Sequence, residues 1–181
     1  MLNPGDEAPD FTLPRDGGGL ISLSALRPAP VVLYFYPRDD TSGCTREARD
    51  FTALAAEFEA AGARVLGVSR DSVQSHERFR DKHGLGVTLL SAADSDLCER
   101  YGVWTRKSMY GRSFFGIERT TFLIDGSGRI VRIWRKVRLP GHAEEVLGAV
   151  RELAGGAAGG GPTDPQRGAR AAGGALTDPS R

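Results

Sequence analysis

Cys44 stands at the junction of two unlike stretches of sequence. Before it comes a strongly apolar run, Val31-Val32-Leu33-Tyr34-Phe35-Tyr36, then Pro37 and a short polar loop. After it, Ala48, Phe51, Leu54, Ala55 and Phe58 recur at helix spacing. The pattern predicts a buried strand that ends at Pro37 and a long helix that Cys44 opens. A thiol in the first turn of a helix meets unpaired backbone N–H groups and the positive end of the helix dipole. Both favour thiolate over thiol, and the thiolate is the nucleophile. Thr41, just upstream, can turn its hydroxyl toward the sulfur or toward an oxygen bound beside it. In open α/β sheets ligands bind outside the carboxyl ends of strands, where this loop falls. The residues alone leave a second reading open: a small apolar side chain that begins a helix, since free cysteines are commonly buried and inert.

The remaining chemistry-bearing residues point elsewhere. There is no Cys-x-x-Cys, so dithiol exchange of the thioredoxin type is excluded at Cys44. His76, His83 and His142 have no metal-binding spacing relative to one another or to the cysteines. His76 and His83 share a polar helical segment and are expected at its surface, and His142, after Pro140-Gly141, is expected to enter the last helix. Asp125-Gly126-Ser127-Gly128 joins two extended runs and reads as a hairpin turn, not as a phosphate cradle, which would open a helix. The basic stretch from Arg132 to Arg138 alternates with Ile133 and Val137 and reads as the exposed face of a strand.

The elements that must hold Cys44 follow from two periodicities that alternate along the chain. Extended runs are expected at 31–36, 63–69, 87–90, 120–125 and 129–137, and helices at 45–61, 72–83, 97–101 and 142–153. Gly62 stops the first helix and Gly84 the second. The order strand–helix–strand–helix–strand, then a hairpin and a closing helix, implies an α/β protein with a central mixed sheet flanked by helices. A thioredoxin-like fold with residues 11–26 as an N-terminal extension fits this order.

Composition bounds the rest. The chain has 181 residues, 24 Lys and Arg against 23 Asp and Glu, and two cysteines. Near-neutrality gives no electrostatic reason to expect nucleic acid or an anionic membrane as partner, and two cysteines do not make a disulfide scaffold. The amino terminus lacks a signal-peptide pattern, and the longest apolar run is too short to span a bilayer, so a cytoplasmic globular protein is expected. Residues 154–181 hold 8 Gly, 7 Ala and 3 Pro and no aromatic residue. AAGGGPTDPQR at 157–167 recurs as AAGGALTDPSR at 171–181, identical at eight of eleven positions. Such a segment buries too little to offset its ordering entropy, so one domain over 1–153 and a disordered tail over 154–181 are expected.

Pro37, Thr41 and Cys44 have the Pro-x-x-x-Thr-x-x-Cys spacing of peroxiredoxins, and the surrounding sequence resembles the bacterioferritin comigratory protein, or peroxiredoxin Q, subgroup. Further matches include Gly5-Asp6-Glu7-Ala8-Pro9-Asp10-Phe11, Gly67-Val68-Ser69-Arg70-Asp71-Ser72, Met109-Tyr110-Gly111 and Gly116-Ile117-Glu118-Arg119-Thr120-Thr121-Phe122. The resemblance spans 4–153 and none of the tail. It implies a thiol peroxidase, an antioxidant oxidoreductase that reduces hydrogen peroxide or organic hydroperoxides. Cys44 would be the peroxidatic cysteine, converted to a sulfenic acid. Arg119 falls on the family's active-site arginine, whose fixed charge and forked donors suit holding the thiolate and stabilising charge as the O–O bond breaks. Thr41 would hydrogen-bond the peroxide, the Gly43 and Cys44 amides would complete the pocket, and Pro37 would exclude water. Glu47 either orients Arg119 by ion pairing or faces solvent. No metal, flavin or nicotinamide is implied, and a monomer is.

The sequence departs from its relatives at Arg49, where many carry a resolving cysteine. Cys98 remains, either as a packed side chain of the 97–101 helix or as a distant resolving cysteine reached after rearrangement. Otherwise an external thiol (thioredoxin, glutaredoxin or glutathione) reduces the sulfenic acid. Ser42 replaces a common proline, with a modest effect on loop freedom. Two rival functions stay open at this level: a peroxide sensor or thiol switch that passes oxidation to partner proteins, and a non-catalytic binding module on the same scaffold.

Overall fold

A computed structural model describes residues 1–159. The run 31–36 forms β3 (Val31–Phe35), every residue of it buried, as an apolar strand covered on both faces requires. It is the middle of a five-stranded sheet of order β5-β4-β3-β8-β9. β4 (Arg64–Ser69) and β5 (Thr88–Ser91) run parallel to it, β8 (Thr120–Ile124) pairs with it antiparallel, and β9 (Ile130–Trp134) returns antiparallel to β8 through the expected 125–128 hairpin. The mixed sheet flanked by helices is the thioredoxin-like architecture expected from the sequence.

Side-chain alternation along β3 divides the core in two. Leu33 and Phe35 join Leu66, Val68 and Phe122 in one cluster, covered by the N-terminal segment and α4 (Leu97–Arg100). Val32 and Tyr34 join the other, with Phe51 of α1 (Ser42–Ala53), Phe58 of α2 (Ala55–Ala60), Phe79 of α3 (Val73–His83) and Val146 of α5 (His142–Gly159). Each fully buried phenylalanine contributes about 1.5–3 kcal/mol by its removal from water.

Three local differences from the sequence expectation have physical reasons. The 45–61 helix is two helices, α1 and α2, because Leu54 leaves helical geometry at φ −102° and ψ 8° and donates its N–H to Phe51 and Thr52 carbonyls. The last helix does not stop at Leu153 but continues to Gly159, so the expected tail begins inside α5; the rest of it lies outside the described residues. Two hairpins were not foreseen. β1 (Thr12–Pro14) pairs with β2 (Leu20–Ser22) inside the N-terminal extension. β6 (Trp104–Met109) pairs with β7 (Arg112–Ile117), with Tyr110 and Gly111 at positive φ, 52° and 76°, in a tight two-residue turn.

Candidate active site

α1 begins where β3 ends. The connecting loop passes half-buried Pro37 and takes a left-handed turn at Asp40, φ 59°. Thr41 is the N-cap residue, in extended conformation, but no side chain caps the helix. Its hydroxyl instead donates to the Arg38 carbonyl at 3.0 Å. The first-turn amides of α1 therefore keep their hydrogen-bonding capacity for a bound oxygen.

Cys44 sits on the inner face of this first turn and is 1% exposed. Arg119, in the short link between β7 and β8, reaches it: Nη2 donates to Cys44 Sγ at 3.4 Å, while Nη1 donates to Glu47 Oε1 at 2.7 Å. One planar guanidinium thus bridges the sulfur and a carboxylate one turn along the same helix, a task a lysine ammonium could not perform with fixed geometry. The ion-pairing alternative for Glu47 holds, and the solvent-facing one does not, because the side chain is 1% exposed. Burial pushes its carboxyl up to about 7 against the charge and hydrogen bond of Arg119, and its Oε2 has no partner among the described residues. Burial works against the Arg119 charge too, yet Glu47 and Cys44 together hold it more firmly protonated than usual. Gly43 is what permits the approach: a Cβ there would lie 3.1 Å from Arg119 Nη2. The Arg119 side chain is 17% exposed while Cys44 is 1% exposed, so the cation lies between the sulfur and solvent.

The structure therefore brings Cys44, Gly43, Glu47 and Arg119 together, with Thr41 at the N-cap of the same helix and Pro37 half-buried in the loop before it. It does not bring Cys98 to them. Cys98 is fully buried in the cluster on the opposite face of the sheet from Cys44, both thiols are free, and burial pushes the Cys98 thiol up to about 12. That environment belongs to a packed, unreactive cysteine.

His76 corrects the sequence expectation. It is completely buried, not at the surface, with Nδ1 2.7 Å from Asp39 Oδ2 and Nε2 donating to the Leu90 carbonyl at 2.9 Å. Asp39 also accepts from Tyr36 at 2.6 Å and Ser75 at 2.8 Å, and its own N–H donates to Asp71 at 2.9 Å. Burial alone would push His76 down, but the Asp39 hydrogen bond and charge raise it. Asp39, Asp71 and His76 lie close enough to suggest a cation, yet their donor atoms are already taken by this network. Its work is to pin the loop that carries Thr41 onto α3 and β5. On the exposed side of the same loop, Asp40 adds contacts to Lys82 and His83, each at 2.7 Å. The one signal for His76 in the sequence is Phe79, three residues on and on the same helix face. His142 opens α5 as expected; it shares a hydrogen bond with Thr121 at 2.9 Å, and burial pushes it down to about 4.

Comparison with known proteins supplies the lineage. Residues 4–133 match the sequence model of the AhpC/TSA family. A putative peroxiredoxin bcp of Coxiella burnetii is 50% identical over 147 residues, 81% of this chain and 97% of that protein. Peroxiredoxin Bcp of Xanthomonas campestris is 48% identical over 142 residues, covering 78% and 89%. Among solved structures, a Xylella fastidiosa PrxQ mutant aligns with TM-score 0.79 at 43% identity over 83% of this chain and 96% of that one. The Xanthomonas campestris bacterioferritin comigratory protein aligns with TM-score 0.76 at 46% identity, covering 80% and 92%. On identity, coverage and fold alike, the chain belongs to the AhpC/TSA family, among its peroxiredoxins of the bacterioferritin comigratory protein kind.

Proposed function

We propose that the chain is a thiol-dependent peroxidase in which Cys44 attacks the hydroperoxide and an external thiol restores it. The observation that carries this is the Arg119 guanidinium donating to Cys44 Sγ at 3.4 Å while anchored on Glu47 at 2.7 Å. The Cys44 thiolate attacks the terminal oxygen of ROOH. The O–O bond breaks, sulfur gains the hydroxyl, and the RO− fragment takes up a proton and leaves as ROH. Arg119 and the first-turn amides of α1 face the charge that develops on the departing oxygen. One thiol then attacks the sulfenic sulfur, releasing water and forming a mixed disulfide. A second thiol displaces the Cys44 thiolate, so two thiols become one disulfide per peroxide reduced.

Relatives favour this reading: the Xanthomonas campestris bacterioferritin comigratory protein is described for alkyl peroxide reduction. Thioredoxin, glutaredoxin or glutathione would be the reductant, used by a monomer in the cytoplasm; among the described residues no helix is long and apolar enough to cross a membrane. The isolation of Cys98 favours the one-cysteine cycle over an internal disulfide. The test is peroxide consumption supported by dithiothreitol, comparing wild type with Cys44→Ser. Loss to the uncatalysed rate is expected, and retained turnover would refute the proposal.

A further inference from the structure

Four of the exposed large apolar side chains among the described residues fall on one hairpin: Met109 (58% exposed), Tyr110 (97%), Phe114 (44%) and Phe115 (56%). Singly exposed apolar residues are ordinary, but a group on one ribbon marks a surface that something covers. The β6–β7 pair is a sheet of its own, covered at its base, where Ile117 and Trp104 meet the core, and exposed toward its turn. Its register sets Lys107 opposite Phe114 and Met109 opposite Arg112, so aromatic, thioether and cationic groups share a face. From 101 to 117 the chain carries Arg106, Lys107 and Arg112 and no carboxylate.

The hairpin also stands beside the sulfur. β7 ends at Ile117, and Arg119 follows after Glu118 in the link to β8. The Lys107 stem lies against Gly116 and its ammonium donates to the Ile117 carbonyl. Burial and the Arg119 charge push Lys107 down, while the nearby Cys44 pulls it the other way. Cys44 itself is recessed and has no internal resolving partner. A small thiol needs no such surface to reach it; a protein thiol does, and must be held there long enough for two exchange steps.

We infer that the β6–β7 hairpin is the docking surface for a protein dithiol reductant whose reactive cysteine lies in an apolar patch rimmed by carboxylates. Met109, Tyr110 and Phe114 supply apolar area, and Arg112, on the face of Met109 and Phe114, complements the rim. The first thiol of that partner attacks the sulfenic sulfur of Cys44 and releases water. Its second thiol then frees Cys44 and leaves the partner oxidised. The inference rests on the peroxidase reading of Cys44.

The test uses the full chain, the double variant Tyr110→Asn with Phe114→Ser, and Arg112→Glu separately. Turnover of hydrogen peroxide is measured with bacterial thioredoxin, its reductase and NADPH, and in parallel with dithiothreitol. The KM for thioredoxin is expected to rise about tenfold in the double variant and severalfold in Arg112→Glu, as expected for loss of a hot-spot aromatic and of a rim charge. Dithiothreitol-supported turnover should stay at the wild-type level. An unchanged KM overturns the inference. So does equal loss with both reductants, or wild-type turnover with dithiothreitol but none with thioredoxin. A wild-type dimer that the double variant dissociates would assign the hairpin to a second copy and overturn it as well. Wild type inactive even with dithiothreitol would instead sink the peroxidase reading beneath it.

Discussion

The guanidinium of Arg119 has two partners, and each can be tested by a change of a few atoms. Arg119→Lys keeps a cation but cannot reach Cys44 and Glu47 together. Cys44 oxidation by peroxide should slow about 10²-fold, the scale of losing one positioned donor to developing charge, while the fold survives. Stopped-flow tryptophan fluorescence against peroxide concentration reads that rate. Gly43→Ala is a subtler probe. Its methyl would stand 3.1 Å from Nη2, so the fork must shift by a few tenths of an ångström and the same rate should fall several-fold. Glu47 carries a pH signature. Its carboxyl is raised from 4.5 to about 7 on folding, so the folded state binds the proton more tightly than the unfolded state over that range. Stability should therefore decline as pH rises from about 4.5 to 7, and Glu47→Gln should remove that decline. Urea unfolding midpoints at stepped pH check it.

Elements place these residues, and they differ in how openly the sequence declares them. β3 and α1 were legible because one is continuously apolar and the other sets Cys44, Ala48 and Phe51 on one buried face. The β6–β7 hairpin was not, because its residues bury almost nothing and so show no periodicity that burial would impose. His76 was hidden for a related reason: α3 is polar overall, and a buried imidazole pinned by Asp39 looks, in sequence, like any surface histidine. The pinning has its own pH dependence. With its folded value raised above 6.5, His76 lends stability that is complete below pH 6.5 and lost as pH climbs through the folded value. His76→Asn should flatten that limb in thermal melts at stepped pH. Between β3 and β4, Gly67 admits the Tyr34 ring, since a Cβ there would lie 2.7 Å from it. Gly67→Ala should cost about 1–3 kcal/mol by overpacking, read as a shift in denaturant midpoint without a change of slope.

Across the whole molecule, the decisive feature is that the sheet separates the two cysteines. Sequence spacing could not show this, because it does not say which face a short helix such as α4 covers; the odd and even residues of β3 do, once the crossovers are fixed. The family motif made the Cys44, Arg119 and Glu47 constellation legible, but the route by which an oxidised Cys44 would be restored, on the proposed reading, depends on this separation. Cys98→Ala should accordingly leave peroxide turnover with dithiothreitol intact. The most direct measurement is peptide mass spectrometry of the protein treated with one equivalent of hydrogen peroxide and trapped with dimedone under non-reducing conditions. The expected products are the dimedone adduct on Cys44, none on Cys98 and no disulfide between them. An adduct on Cys98, or an unmodified Cys44 after the peroxide is consumed, would overturn Cys44 as the reacting sulfur.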